Sequence, residues 1–325
     1  MSRTSHAWWT PGFARAYIVT MRPYLLFVSG AAGIVGLSFS YGMSQGRIAI
    51  GFVALFLSYG FGQALTDCFQ TDTDSLSAPY RPLVRGEVTR RQVLIVSLAG
   101  LTIVVGALCY LNPWILTLGV AAVLGLLTYT FFKRRWWGGP PWNSWIVALL
   151  PMMGWLAGGG RSLASLGRFL VADSGTFLAA VLAVFAGYAN FVVMGYFKDI
   201  SADRETGYET FPVVFGWQPA AVYGDVTAAL AAGLSLFVIV QRGAGAWSIA
   251  LLAVGLAMHV YAQVAVHRSR DERAVGGPIA YGVRALLLYC MAMAVANHPS
   301  WLVALLLFGA LFEFALRLRP DEGQV

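Results

Sequence analysis

Ten stretches of mostly apolar residues follow one another along the chain, and only short polar segments separate them. They cover approximately residues 23–43, 47–66, 91–111, 114–132, 144–160, 176–196, 219–240, 246–266, 279–296 and 300–316. Most reach the roughly 20 residues that an α-helix needs to cross the hydrocarbon core of a bilayer. Charged residues make up 11% of the chain, less than half of the roughly 25% found in soluble domains. The sequence therefore predicts an all-α fold, a polytopic transmembrane helix bundle with nine to ten spans.

The basic residues are distributed unevenly between the two ends of these stretches. If the stretches alternate across the membrane, seventeen Lys and Arg residues fall on the side of the N-terminus and four on the other side. Because cytoplasmic loops of membrane proteins are enriched in Lys and Arg, the N-terminus is predicted to be cytoplasmic. The net charge of +7 comes from short loops between apolar stretches. Membrane lipid is therefore an expected partner, and nucleic acid is not.

Eight of the fifteen acidic residues lie in two predicted cytoplasmic loops, residues 66–90 and 197–217. The loops follow the second and the sixth apolar stretch, so they mark a weak internal repeat of four-helix units. Asp199 and Asp203 are four residues apart and would share one face of a helical turn. Asp67 and Asp74, seven residues apart, would share a face if their segment is helical.

Two groups of carboxylates facing each other across the mouth of a bundle repel each other unless cations lie between them. Mg²⁺ prefers oxygen ligands and is commonly held by a few carboxylates together with the phosphates of a substrate. Arg81, Lys133 and Lys198 lie in or beside the loops, where they could donate to phosphate oxygens. This composition favours a diphosphate bridged by Mg²⁺, with a lipophilic remainder inside the bundle.

At these residues the sequence resembles the UbiA superfamily of intramembrane prenyltransferases. The pattern of that family in the second loop is Lys-Asp-x-x-x-Asp-x-x-x-Gly-x-x-Thr-x-Pro. This chain matches it with Lys198, Asp199, Asp203, Gly207, Thr210 and Pro212. The resemblance extends over approximately residues 20–300, and the last apolar stretch is additional to the nine helices familiar from the family.

The first loop matches the family less completely. The family pattern is Asn-Asp-x-x-Asp-x-x-x-Asp followed by Pro-x-Arg-Pro, and the alignment is anchored on Pro79, Arg81 and Pro82. It places Asp67 and Asp74 on two of the aspartates, but Thr66 replaces the Asn and Gln70 replaces the middle Asp. Two polar positions are thus altered, and Asp72 is a candidate to compensate for them.

The resemblance implies a UbiA-like bundle whose two Asp-rich loops lie over a central cavity, with Mg²⁺ as cofactor. Asp67, Asp74, Asp199 and Asp203 would be catalytic metal ligands, and Gln70 and Asp72 would assist them. Arg81, Lys133 and Lys198 would bind the diphosphate of a prenyl diphosphate. Its departure would leave an allylic carbocation for an acceptor that the sequence does not identify. Aromatic candidates for the cavity wall are Phe69, Tyr129, Tyr188, Phe191 and Tyr196.

Two further polar residues are assigned to substrate binding, although each has a structural alternative. Arg22 could approach the acceptor, or it could serve as a positive-inside anchor. Asn190 lies in an apolar stretch and should face the bundle interior, where it would either join two helices or line the cavity.

The predicted domain organisation is an interfacial segment of residues 1–22, one transmembrane catalytic domain of residues 23–317 and a cytoplasmic tail of residues 318–325. Trp8, Trp9 and Phe13 with Arg3 and Arg15 give the first segment its interfacial character.

Two other functions remain open at this stage. A membrane terpene cyclase could use the same scaffold and quench the cation within its own chain, and the altered Thr66 and Gln70 are compatible with this. A transporter would use charges and broken helices at the midplane of the membrane, whereas the acidic clusters here are predicted in loops. The expected function is therefore a Mg²⁺-dependent intramembrane prenyltransferase.

Overall fold

The computed structural model describes residues 5–319, which form helices and no β-strand. The α-helices are α1 (Pro11–Met21), α2 (Leu26–Ser38), α3 (Gln45–Asp67), α4 (Thr71–Ser77), α5 (Arg90–Leu111), α6 (Ile115–Lys133), α7 (Gly139–Ala157), α8 (Leu163–Val171), α9 (Thr176–Tyr196), α10 (Ile200–Glu205), α11 (Phe211–Phe215), α12 (Trp217–Gln241), α13 (Ala246–Arg268), α14 (Gly276–Asn297) and α15 (Leu302–Arg317). Each of the ten apolar stretches corresponds to one of these helices, namely α2, α3, α5, α6, α7, α9, α12, α13, α14 and α15, so the predicted all-α bundle is confirmed.

Among the described residues, eight helical segments are long and apolar enough to cross a membrane. They are α3, α5, α6, α9, α12, α13, α14 and α15, with short 3₁₀ turns extending α9 and α15 at their N-termini. A ninth is possible if α1 and the helix that follows it count as one span, bent by 44° at Arg22. Helix α7 is not in this group, although it has 19 residues and packs against α2 and α9. The protein is an integral membrane protein.

Among the eight membrane-length segments, α9 and α14 are the most enclosed, with 83% and 78% of their apolar windows buried inside the protein. All thirteen residues of α2 are buried as well. Around them, α5, α6, α12, α13 and α15 expose large apolar side chains such as Ile103, Leu124 and Leu307. Lipid is as apolar as these side chains, so their exposure is compatible with a bilayer. The bundle thus has a buried centre and a lipid-facing periphery.

Small residues allow close contact between α2 and α7. A Cβ atom added at Gly36 would overlap with the carbonyl oxygen of Pro151, and one added at Gly154 would lie 2.5 Å from the carbonyl oxygen of Gly33. Neither position has space for a side chain, so the backbones of α2 and α7 pack directly on each other.

The N-terminal segment is a short helix rather than a span of its own. The apolar face of α1 packs on α3 through Phe13 and Tyr17, whereas Trp9 is 85% exposed. Residues 1–4 and most of the predicted tail, residues 320–325, lie outside the described residues. Arg22 adopts a left-handed conformation with φ of 53°, which ends α1 immediately before Pro23.

At the opposite end of the bundle, Arg47 joins three helices. Its Nη2 donates to the carbonyl oxygens of Leu111 at 2.9 Å and Ala157 at 3.2 Å, the last residues of α5 and α7. These carbonyls have no partner within their own helices, so the guanidinium satisfies both and neutralises the negative ends of two helix dipoles.

We expect Arg47→Ala to destabilise the protein by about 1.5–3 kcal/mol, because a charged donor is lost from two carbonyl groups. Thermal unfolding of the detergent-purified protein would measure the change. The exposed Arg161 serves as a control, and Arg161→Ala should leave the unfolding temperature nearly unchanged. Equal shifts for the two variants would contradict the capping role of Arg47.

Candidate active site

A cavity opens between α2, α3, α5, α6, α7 and α9. At one end its lining is charged and includes Arg22, Asp67, Asp74, Arg81, Lys133, Lys198 and Asp199. Towards the other end the lining becomes apolar, with residues such as Val104, Leu108, Leu150 and Met153. Both acidic loops therefore meet at one cavity, as predicted, and the cavity is amphiphilic.

Asp67, the last residue of α3, lies on the wall beside Arg22. Arg22 Nη2 donates to both carboxylate oxygens of Asp67 at 3.0 Å, and Gln63 Nε2 donates to Asp67 Oδ1 at 2.7 Å. The position of Arg22 at the break before Pro23 brings its guanidinium to this carboxylate. Because Asp67 and Arg22 are both buried, the pair neutralises charges that would be costly to bury alone.

Asp74 reaches the same place from a separate helix. The chain leaves α3 at Asp67 and resumes helical structure at Thr71, so the two aspartates do not share one continuous helix face. Instead Arg81 brings them together, since its guanidinium contacts Asp74 and lies 3.8 Å from Asp67 Oδ1. Burial raises the pKa of Asp74, and the Arg81 guanidinium opposes that shift.

Lys133, at the end of α6, connects the two acidic loops. Its Nζ donates to Gln70 Oε1 at 3.1 Å and lies 3.6 Å from Asp203 Oδ1. Asp203 is fully buried in α10 and, unlike Asp199, does not itself line the cavity. Its other oxygen accepts a hydrogen bond from the Thr210 hydroxyl at 3.2 Å. Burial raises the pKa of Asp203 to about 6 against the opposing effect of Lys133.

Lys198 and Asp199 complete the charged end from the start of the second loop. Both line the cavity and are half-buried. The Asp203 backbone N–H donates to the Asp199 carbonyl at 2.7 Å, so the predicted single helical turn between the two aspartates is present. Burial lowers the pKa of Lys198 to about 8, although the Asp199 carboxylate opposes this.

Asp72 does not line the cavity but belongs to a polar rim at its mouth, formed by Asp72, Thr73, Arg134, Thr206 and Tyr208. Arg134 Nη2 donates to Asp72 Oδ2 at 2.8 Å, and the Tyr208 hydroxyl donates to Asp72 Oδ1 at 3.1 Å. The hydroxyls of Thr73 and Thr206 lie 3.1 Å apart. The rim therefore joins both acidic loops to the turn after α6.

Asn190 also lies away from the cavity lining. Its Nδ2 donates to the Gly224 carbonyl at 2.8 Å, and its Oδ1 lies 2.9 Å from His259 Nε2. These contacts join α9 to α12 and α13. The position of Asn190 thus favours its interpretation as a helix–helix hydrogen bond over a role in substrate binding.

Four of the five aromatic candidates line the cavity: Tyr129, Tyr188, Phe191 and Tyr196. Phe69 does not, and its ring instead faces the guanidinium of Arg90 at 5.0 Å. The hydroxyls of Tyr129 and Tyr196 lie 3.2 Å apart.

Sequence reasoning missed several polar cavity residues, among them Tyr59, Gln63 and Asn143. The Tyr59 hydroxyl lies 3.0 Å from the Tyr188 hydroxyl. Gln63 and Tyr59 lie four and eight residues before Asp67 on α3, so helical periodicity could have placed both on the cavity face. Asn143 had no comparable signal.

The cavity has buried carboxylates and cations at one end and apolar side chains at the other, and it lies inside a membrane-embedded helix bundle. These features are those of an intramembrane enzyme that acts on amphiphilic phosphate esters. A sequence model of the UbiA prenyltransferase family matches residues 25–276. The chain belongs to this family, and the prediction of a prenyltransferase is thereby confirmed.

A curated relative and two solved structures agree with this assignment. Digeranylgeranylglyceryl phosphate synthase of Halobacterium salinarum is 30% identical over 272 residues, which are 81% of this chain and 90% of the relative. The apo structure of a UbiA homologue from Aeropyrum pernix K1 has a TM-score of 0.69 at 22% identity, covering 80% of this chain and 94% of that one. A UbiA homologue from Archaeoglobus fulgidus, solved with DMAPP and Mg²⁺, has a TM-score of 0.63 at 18% identity, covering 86% and 98%.

The two kinds of ion pair in this region should differ in strength. Arg81→Met removes the cation between two buried carboxylates, and we expect a loss of about 3–5 kcal/mol in stability. Arg134→Met breaks a pair whose side chains are 48% and 42% exposed, which should cost at most about 1 kcal/mol. Thermal unfolding in detergent compares the variants. Equal losses of stability in the two variants would show that water screens the Arg81 ion pair as much as the exposed Arg134 pair.

Proposed function

We propose that the protein transfers a prenyl group from a prenyl diphosphate to a glycerol phosphate lipid, using Mg²⁺, at the charged end of the cavity. The observation that supports this proposal is that one cavity has a charged end, here called the head site, and an apolar lining at the other end. Residues 23–317 would act as one catalytic domain, because both acidic loops contribute to the site. The A. fulgidus homologue with DMAPP and Mg²⁺ supports the donor and the metal.

The residues present fit a magnesium ion that is shared with a substrate. Within residues 5–319, no three His, Cys, Asp or Glu side chains are placed to hold a metal ion by themselves. Mg²⁺ is usually held by one or two carboxylates together with substrate phosphates, so such a cage is not required. Asp203 Oδ1 is buried without a hydrogen-bond partner and has only Lys133 Nζ at 3.6 Å, so this oxygen has acceptor capacity left. Asp67, Asp74, Asp199 and Asp203 would hold the metal.

The cations of the site would bind the diphosphate. The Nε atoms of Arg22 and Arg81 are buried without a hydrogen-bond acceptor, so both guanidinium groups have donor capacity left for phosphate oxygens. Lys133 and Lys198 would add two further donors at the cavity wall. Bound Mg²⁺ would neutralise negative charge that develops on the leaving diphosphate.

The tyrosines below the charged end would protect the cation formed after diphosphate departs. Tyr129, Tyr188 and Tyr196 present aromatic rings to the cavity, and aromatic faces attract cations. The apolar walls would exclude water, which would otherwise capture the cation. Arg22, at the side of the cavity formed by α2, would also be placed to contact the phosphate of the acceptor.

The acceptor is proposed from the relatives, since the curated homologue is named for the synthesis of digeranylgeranylglyceryl phosphate. Mass analysis of reactions with prenyl diphosphates should show a prenylated glycerol phosphate lipid and no product without acceptor. A cyclised hydrocarbon or alcohol formed without acceptor would establish the cyclase function instead. Transport is disfavoured, because the acidic residues lie at the end of the cavity rather than at the midplane of the spans.

We also propose that the charged end of the cavity faces the cytoplasm, with the N-terminus on the same side. The excess of Lys and Arg on this side supports the orientation. The exposed Arg273 lies in the loop between α13 and α14. A membrane-impermeant thiol reagent should label Arg273→Cys in inside-out vesicles and not in right-side-out vesicles, and the reverse pattern would overturn this orientation.

We expect Asp74→Asn and Asp203→Asn each to reduce pyrophosphate release at least about 100-fold, because each removes a charge from the metal and diphosphate site. Asp225→Asn is the matched control, since Asp225 pairs with His267 at 2.7 Å and belongs to neither acidic loop. Its activity should stay near that of the parent protein. Full turnover in the Asp74 and Asp203 variants would refute the enzyme mechanism.

The altered first loop should determine the magnesium dependence. Gln70→Asp adds a carboxylate beside Lys133, so the Mg²⁺ concentration at half-maximal activity should fall. Asp72→Ala should raise that concentration if Asp72 contributes to the metal site from the rim. A titration of pyrophosphate release with Mg²⁺ measures both effects, and unchanged curves for both variants would exclude both residues from metal binding.

A further inference from the structure

The segment between α13 and α14 contacts the second acidic loop through Glu272. The backbone N–H of Ser201 donates to Glu272 Oε2 at 3.1 Å, and the Ser201 hydroxyl donates to Glu272 Oε1 at 2.6 Å. Ser201 is the second residue of α10, the helical turn that follows Asp199 and carries Asp203. A carboxylate 71 residues further along the chain therefore holds the backbone between the two aspartates.

Glu272 takes a role that Asp199 would be expected to have. The first N–H groups of a helix lack partners within that helix, and an aspartate directly before the helix commonly accepts one of them. Asp199 precedes α10, but its φ of −112° and ψ of 7° differ from the extended conformation of such a cap. Within the described part of the chain the Asp199 side chain makes no capping hydrogen bond, and Asp199 lines the cavity.

The first acidic loop has the same local geometry. Gln70 precedes α4 with φ of −125° and ψ of 19°, makes no capping hydrogen bond within residues 5–319, and lines the cavity. In each loop the residue four positions later is an aspartate that donates its backbone N–H to this residue. Asp74 donates to the Gln70 carbonyl at 2.9 Å, and Asp203 to the Asp199 carbonyl at 2.7 Å. This repetition indicates that such a turn keeps the preceding side chain available to the cavity.

Glu272 is itself held by the turn that contains it. Asp271 Oδ1 accepts a hydrogen bond from the backbone N–H of Arg273 at 2.9 Å, and the Asp271 carbonyl accepts one from Ala274 at 3.0 Å. Val275, the next residue, is fully buried. The segment thus presents the Glu272 carboxylate at a defined position beside α10.

The contact between Glu272 and Ser201 determines position more than stability. Ser201 is exposed and Glu272 is half-buried, so water could replace both hydrogen bonds at a small cost in free energy. Water would not keep the turn in this geometry, however. The Asp199 carboxylate would then compete for the freed N–H groups, because aspartate side chains readily bond to the backbone that follows them.

We infer that Glu272 is a positioning residue of the magnesium site. It accepts the hydrogen bonds of Ser201, so that the Asp199 carboxylate stays free for the metal, and it does not line the cavity itself. This inference rests on the proposed function, because it assumes that Asp199 holds Mg²⁺.

Metal binding without turnover tests the inference. Mg²⁺ is titrated into the detergent-purified protein with geranyl diphosphate and no acceptor, and the rise in unfolding temperature reports affinity. Glu272→Ala should raise the half-saturating Mg²⁺ concentration about tenfold, because loss of a group that orients a metal ligand weakens metal binding by about this factor or more. The unfolding temperature without Mg²⁺ should change by less than about 2 °C.

Glu205→Ala is the matched control. It removes the same charge from α10 at its exposed last residue, and it should change the half-saturating concentration by about twofold at most. Glu272→Gln keeps the size of the side chain and one acceptor oxygen. Its half-saturating concentration should therefore lie between those of the parent protein and Glu272→Ala.

The effect should also depend on Asp199. Asp199→Asn alone should weaken Mg²⁺ binding, and adding Glu272→Ala to it should cause no further loss, because the charge that Glu272 positions is already gone. A general distortion of the loop would instead weaken binding by the same factor in both backgrounds.

Two results would overturn the inference and leave the proposed function intact. One is an unchanged Mg²⁺ titration in Glu272→Ala, or in Glu272→Gln if the alanine variant does not fold. The other is an equal loss with and without the Asp199 carboxylate. If Mg²⁺ and geranyl diphosphate do not stabilise the parent protein, the proposed function itself fails, and the inference fails with it.

Discussion

The pairing of buried carboxylates with buried cations is the constraint on which the rest of the structure depends. Asp67 and Asp74 lie where three helices and a loop converge, and neither could remain charged there without a partner. Arg22 and Arg81 supply that partner from opposite directions in the chain. The break between α1 and α2 exists at the residue whose guanidinium is needed, and α4 turns away from α3 so that Arg81 can reach both aspartates. The irregular chain path in this region thus places opposite charges next to each other in a medium of low polarity.

The same ion pairs also bear on how the cavity would bind a charged ligand. Buried ion pairs contribute little net stability relative to apolar packing, so their retention suggests a use beyond folding. The arginines neutralise the aspartates within the protein, and a metal diphosphate would offer each group a new partner of opposite charge. Binding would then exchange one set of charge pairs for another.

Much of this fold followed from the sequence, because apolar length alone determines where a chain can cross a bilayer. The predicted stretch 176–196 has the same ends as α9. The stretch 47–66 differs from α3 by at most two residues at either end. The site was less predictable. Motif spacing identified the aspartates, but only tertiary contacts place Gln70 on Lys133 and Asn190 on Gly224. Asp67 and Asp74 are brought together by Arg81 and not by helical periodicity. A pattern along the sequence does not indicate such a contact.

The charged head site combines residues from both halves of the chain. The segment after α7, near Gly159, lies at the other end of that helix from the mouth of the cavity. A cut there would leave Asp67, Asp74, Arg81 and Lys133 on one fragment, and Lys198, Asp199 and Asp203 on the other. Neither fragment alone would contain a complete head site, whereas co-expressed fragments could reassemble it. The protein is therefore suited to a split design in which complementation between two polypeptides is required for activity.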